Sequence, residues 1–234
     1  MSAPTDPVRR QLLVLAAVPD FSTLLKSFEE PPDSFSQWFR AVRFDDVRQC
    51  QGLLNRGFDP NTIEPERFDT ALILAVREKS RKVLRLLLTL PDIALNARSR
   101  NGDTALMIAA FLSDQLAASA LIGQGAEINR TGWTALHYAA AAGSAPIVRL
   151  LLEQSAYIDA ESPNKTTPLM MAARAGHLSI VQLLLAEGAD VTLKNELGLT
   201  AADFARVEGK ISLAALLQQA QLSAKKDTTS NSSP

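Results

Sequence analysis

The 234-residue sequence predicts an all-α fold, a solenoid of about six stacked helical units. Three observations carry this. Thr70, Thr104, Thr134, Thr167 and Thr200 open closely similar segments at spacings of 34, 30, 33 and 33 residues. Most of these segments run on into a small-residue pair, such as Ala109-Ala110, Ala139-Ala140 or Ala172-Ala173, and then a leucine-rich stretch. A turn of the form Gly-Ala-acid-β-branched follows, as in Gly125-Ala126-Glu127-Ile128 and Gly188-Ala189-Asp190-Val191.

Along the chain, residues 1–34 come first. Residues 7–18 are expected to form an amphipathic capping helix and residues 21–29 a second short one, with Glu29-Glu30-Pro31-Pro32-Asp33 as a linker. The alternative is a degenerate export signal, since Arg9-Arg10 precedes an apolar run. That run is only seven residues long and stops at Pro19-Asp20, so capping fits better.

The repeat domain is expected over 35–222, with repeats near 35–68, 69–102, 103–132, 133–165, 166–198 and 199–222. A weaker first copy begins at Ser36-Gln37-Trp38-Phe39, 34 residues before Thr70. In the other copies threonine suits an N-cap, because its oxygen accepts from an otherwise orphaned backbone N–H. Pro168 suits the first helical position. The alanine pairs let two antiparallel helices approach closely. Ile147-Val148 with Leu150-Leu151-Leu152 gives the second helix a broad apolar face. Gly188 falls where a left-handed residue ends that helix. The last second helix, 211–222, carries Gln218, Gln219 and Gln221 and reads as a cap facing water. The polar tail, 223–234, is expected to be disordered.

The segments Thr134-Ala135-Leu136-His137-Tyr138-Ala139-Ala140-Ala141-Ala142-Gly143 and Thr167-Pro168-Leu169-Met170-Met171-Ala172-Ala173-Arg174-Ala175-Gly176-His177 resemble the signature of the ankyrin-repeat proteins. The resemblance covers about 35–224, and the layout is similar to that of small stand-alone ankyrin proteins of bacteria. It implies a helix-turn-helix per repeat, short β-hairpin fingers, and binding of other proteins rather than catalysis. Several positions depart from the signature. Repeat one has Asp45-Asp46 for Gly-His and Trp38 for Leu, and the last repeat has Asp203 for His. Lys79 and Ser113 replace the turn glycine, so those turns are expected to be strained or differently shaped. The finger Asn129-Arg130-Thr131-Gly132-Trp133-Thr134 is about three residues short and should leave a notch.

Composition narrows the function. Lys and Arg total 24 against 25 Asp and Glu, so the basic excess of a nucleic-acid binder is missing. No uncharged apolar run reaches the length of a membrane span. Cys50 stands alone and maps to a core position of a second helix, so a buried thiol is expected rather than a nucleophile. His137 and His177 lie 40 residues apart without ligands at metal spacing, and both are expected to be structural. No phosphate loop, dinucleotide glycine pattern or nucleophile elbow is present. The expectation is therefore a non-enzyme without metal or cofactor, monomeric and cytoplasmic, holding a protein partner. A stoichiometric factor that protects or inhibits an enzyme or toxin is the alternative.

In the resembled family the first helices and fingers line a concave groove. Aligned repeats give one column of Arg40, Leu74, Ile108, Tyr138, Met171 and Phe204, read mainly as packing. A second column holds Arg43, Arg77, Phe111, Ala141, Arg174 and Val207 and is read as more exposed. A finger column holds Asp69, Asp103, Trp133, Thr166 and Leu199. From these, Phe111, Trp133 and Tyr138 are expected as apolar contacts. Arg43, Arg77 and Arg174 are expected to steer an acidic or polar surface.

Overall fold

A computed structural model of the protein describes residues 34–230. The N-terminal helices or export signal expected over 1–34 lie outside these residues, apart from Ser34 itself. Twelve helices are present among the described residues, in six antiparallel pairs. The first pair is α1 (Ser34–Arg43) and α2 (Val47–Leu54), and the second is α3 (Ala71–Arg77) and α4 (Arg81–Leu88). Then come α5 (Ala105–Phe111) with α6 (Gln115–Gly123), and α7 (Ala135–Ala142) with α8 (Ala145–Glu153). The last two pairs are α9 (Pro168–Ala175) with α10 (Leu178–Ala186), and α11 (Ala201–Val207) with α12 (Ile211–Ser230).

The predicted threonines begin the first helices. The hydroxyls of Thr70, Thr104, Thr167 and Thr200 accept from the backbone N–H three residues on, closing the first turn of α3, α5, α9 and α11. Such a cap contributes about 1 kcal/mol. The side chain at that third position answers back in three of these four: Met107 Sδ, Met170 Sδ and Asp203 Oδ2 each accept from the threonine N–H. In α7 it is His137 Nδ1 that accepts from the Thr134 N–H.

First helices stack on first helices and second on second, and the first-helix row is the tighter. Its alanines explain this. Ala71, Ala75, Ala105, Ala109, Ala139, Ala140, Ala172 and Ala173 are fully buried between neighbours. The core continues into the second row through Val83, Leu87, Leu121, Ile147, Leu151, Val181 and Leu184. Closer spacing on the first-helix side makes that side the inner face of the curve. Trp38 fills the first unit, fully buried, with its ring 5.1 Å from that of Phe58.

The turns between paired helices repeat one shape. A left-handed residue sits at Asp45, Lys79, Ser113, Gly143, Gly176 and Gly209, with φ between 53° and 83°. Lys79 and Ser113 therefore keep the turn that glycine makes elsewhere, at φ 58° and 54°. Asp45 and Asp46 have specific uses. Asp46 caps α2 through Gln49 N–H, and Asp45 Oδ1 accepts from Lys82 and Val83 N–H, capping α4 of the next repeat.

Four of the five fingers are tight turns closed by a backbone hydrogen bond: Glu64 N–H to Asp69 O, Ser99 to Asp103, Ser162 to Thr166 and Asn195 to Leu199. No strand forms among the described residues, and the single antiparallel bridge joins Ile63 and Thr70. Side chains stitch each loop to the next: Asn61 to Asp92 and Ala94, Asn96 to Glu127, Asn129 to Ser155 and Tyr157, Asp159 to Asp190. The last helix, α12, runs past 222 to Ser230. Ala224, Lys225 and Lys226 favour helix, and no glycine or proline interrupts before Pro234.

Candidate functional site

The site grows from the short finger. Residues 129–134 turn without the backbone closure seen in the other fingers. Fingers on either side bond to their outer neighbours, Arg100 N–H to Arg67 O and Glu196 N–H to Asn164 O. The short finger interrupts that row and leaves the expected notch. The notch is a recess of about 170 Å³ lined by Arg98, Asp103, Arg130, Trp133, Tyr138 and Pro163 among others.

Trp133 and Tyr138 also wall a second, apolar pocket of about 230 Å³ on the first-helix face, with Phe111, His137, Ala141 and Met171. Three of the six expected contact residues are thus brought together here. Phe111 stands 58% exposed at the end of α5, with its ring edge-on to Tyr138 at 6.2 Å between centroids. Trp133 is half-buried and packs edge-on to His137 at 5.2 Å. The Tyr138 hydroxyl donates to Asp103 Oδ1, which ties α7 to the preceding finger and fixes the ring. Burial, and then the neighbouring Asp103 carboxylate, push the Tyr138 phenol up.

His137 lies behind this pocket, fully buried. Its Nδ1 accepts from Thr134 N–H at 3.2 Å and lies 2.9 Å from Thr134 Oγ1. Its Nε2 faces Thr166 O of the next finger at 2.9 Å. A carbonyl only accepts, so Nε2 carries the proton and the ring is neutral. Burial pushes its pKa down to about 4, against the pull of the carbonyls of Thr166 and Ala160. Nδ1 is occupied by its own helix cap and Nε2 by the next repeat, which leaves neither for proton transfer to a ligand. His177 has a similar linking role, with Nε2 donating to Ala141 O at 3.0 Å. Cys50 is fully buried, and burial pushes its thiol up to about 12, the opposite of an activated nucleophile.

The three arginines are not gathered at this pocket. Each is held by a carboxylate of its own chain. Arg43 meets Glu64 at 2.8 Å, Arg77 meets the buried Asp69 at 2.9 Å, and Arg174 meets Glu208 at 3.2 Å. Arg43 and Arg174 remain substantially exposed beside these partners. In the packing column Leu74 and Ile108 are buried, whereas Tyr138, Met171 and Phe204 are partly open. The carboxylates that tie the arginines were not singled out from sequence, nor were Arg98 and Arg130 in the notch. Asp69 did stand in the finger column, directly before a capping threonine and eight residues from Arg77, which was the available signal.

No helix among the described residues is long and apolar enough to cross a membrane. The family model described as ankyrin repeats (3 copies) matches residues 38–131 and 113–195. Protein glp-1 of Caenorhabditis elegans is 33% identical over 195 residues, covering 76% of this chain and 15% of that protein. Transient receptor potential cation channel subfamily A member 1 of Homo sapiens is 29% identical over 140 residues, 55% of this chain and 12% of its own length. Neurogenic locus notch homolog protein 1 of Mus musculus is 31% identical over 134 residues, 56% of this chain and 5% of its own length. The chain thus spans a small fraction of these curated relatives.

Proposed function

The chain belongs to the ankyrin-repeat family, and from that premise we propose that it is a non-catalytic module that grips a protein partner on its first-helix face. The observation that carries this reading is the apolar pocket between Phe111, Trp133 and Tyr138. An exposed phenylalanine standing beside a half-open Trp–Tyr wall leaves apolar area in water, and a partner side chain would remove it. Aromatic residues are the commonest energetic centres of interfaces. Arg43, Arg77 and Arg174 flank the face, and their N–H groups not engaged by Glu64, Asp69 and Glu208 are available to polar groups of the partner. The balanced charge, 24 Lys and Arg against 25 Asp and Glu, supports a protein partner rather than nucleic acid.

Mutation tests the reading. A partner isolated with the wild-type chain should bind Phe111→Ala and Tyr138→Ala at least about tenfold more weakly. Circular dichroism checks that each variant is folded. Unchanged affinity in both variants would remove the pocket from the interface.

A further inference from the structure

The apolar pocket does not end at Trp133 and Tyr138. Through these two residues it adjoins the notch, and through Asn101 the notch adjoins a third recess of about 190 Å³ lined by Glu66, Arg67, Arg77, Ser99 and Arg100. The three recesses follow one another along the fingers. Their charges are unbalanced in a specific way. The carboxylates of this stretch are mostly consumed internally: Glu64 by Arg43, Asp69 by Arg77, Asp103 by the Tyr138 hydroxyl. Arg67, Arg98, Arg100 and Arg130 form no ion pair among the described residues. Two carboxylates line the recesses, Glu66 and Asp103, against the five arginines Arg67, Arg77, Arg98, Arg100 and Arg130; neither carboxylate forms an ion pair among the described residues, and Asp103 accepts from Tyr138.

The arginines are also placed rather than loose. Arg100 lies over the Phe68 ring at 4.7 Å and reaches Pro65 O. Arg130 reaches Gly102 O at 3.5 Å, and its Nε is buried without a hydrogen-bond partner. Burial, and then the nearby charge of Arg98, push Arg130 down, against the pull of Glu127, Tyr138 and Asp103. A chain of net charge −1 thus concentrates unpaired positive charge beside its apolar pocket. Such an edge attracts carboxylates, which can neutralise Arg98 and Arg130.

We propose that the occupant of this face is an extended acidic segment of a protein partner, with one aromatic or long aliphatic side chain in the Phe111–Trp133–Tyr138 pocket and carboxylates running over Arg130, Arg98 and Arg67. This rests on the protein-binding reading above and adds the chemistry of the partner. The pocket takes one large side chain and sets position. The arginine edge sets direction and disfavours basic segments, because arginines outnumber the carboxylates lining the recesses.

A random linear peptide library selected against the full chain tests this, followed by affinity measurement on the recovered peptides. The expected peptides join Phe, Trp or Leu to a run of Asp or Glu. Their affinity falls about tenfold with the double variant Arg67→Glu, Arg98→Glu, and falls again as salt rises. Both residues are exposed and lack an ion-pair partner within the described residues, so the reversal leaves the fold intact; circular dichroism confirms it. Recovered peptides that are neutral or basic, or that bind the double variant as well as wild type, overturn the acidic assignment. If those peptides still lose affinity with Phe111→Ala, the pocket reading stands without it. Peptides insensitive to both changes, or a selection that yields none, overturn both.

Discussion

At the scale of single residues, His137 shows how a signature position works. Its neutral ring accepts at Nδ1 from its own helix cap and donates at Nε2 to the next finger. Protonation would put a donor against the Thr134 N–H, in a fully buried site. The folded pKa is near 4, whereas an unfolded histidine titrates near 6.5. Between these values the unfolded chain holds a proton that the folded chain does not. Stability is therefore fully present above about pH 6.5 and is lost as pH falls toward 4, by on the order of 3 kcal/mol in all. Urea unfolding of the wild type should show roughly 2 kcal/mol less stability at pH 5 than at pH 7. His137→Gln should flatten that difference, and an equal loss in the variant would assign the effect elsewhere. The structural role of His137 was legible from its place in the repeat. The carboxylates on Arg43, Arg77 and Arg174 were not, because two of the three pairs span separations of 21 and 34 residues, set by stacking rather than local spacing.

At the scale of elements, the turn between paired helices is held by its surroundings. Where the sequence offers glycine, as at Gly143, the backbone is left-handed and the next repeat presses on it. A Cβ at Gly143 would meet the His177 ring at 2.8 Å. Where the sequence offers Lys79 or Ser113, the same left-handed conformation is kept at a cost of about 1–2 kcal/mol. The sequence pattern showed that these turns were abnormal, but it could not decide between strain and a new shape. Neighbouring repeats on both sides decide it, since a different turn would break the stack. Gly143→Ala should then destabilise the protein by about 1–2 kcal/mol, while Lys79→Gly should stabilise it by about 0.5–1 kcal/mol. Urea unfolding measures both. A neutral Gly143→Ala or a destabilising Lys79→Gly would contradict this account of the turn. Helix α12 gives the complementary lesson. Its residues past 222 are polar but hold no helix breaker, and a helix already docked through its first half can propagate through them to Ser230.

At the scale of the whole molecule, the repeat count and stacking followed from the threonine period, and the notch followed from the one spacing of 30 among values of 33 and 34. The pocket itself was only partly legible. Phe111, Trp133 and Tyr138 came from separate columns, and nothing linear places the three around one space. Stacking does so, because the alanine-packed first row brings Phe111 of one repeat against Trp133 and Tyr138 of the next. The central claim is that this inner face, and not the second-helix row, receives the partner. Site-specific photocrosslinking tests it most directly, with benzoylphenylalanine placed either at Phe111 or at Leu116, which is 74% exposed on α6. The account predicts a crosslinked protein partner from position 111, competed away by unlabelled wild-type chain, and none from 116. A partner trapped from 116 and not from 111 would contradict it.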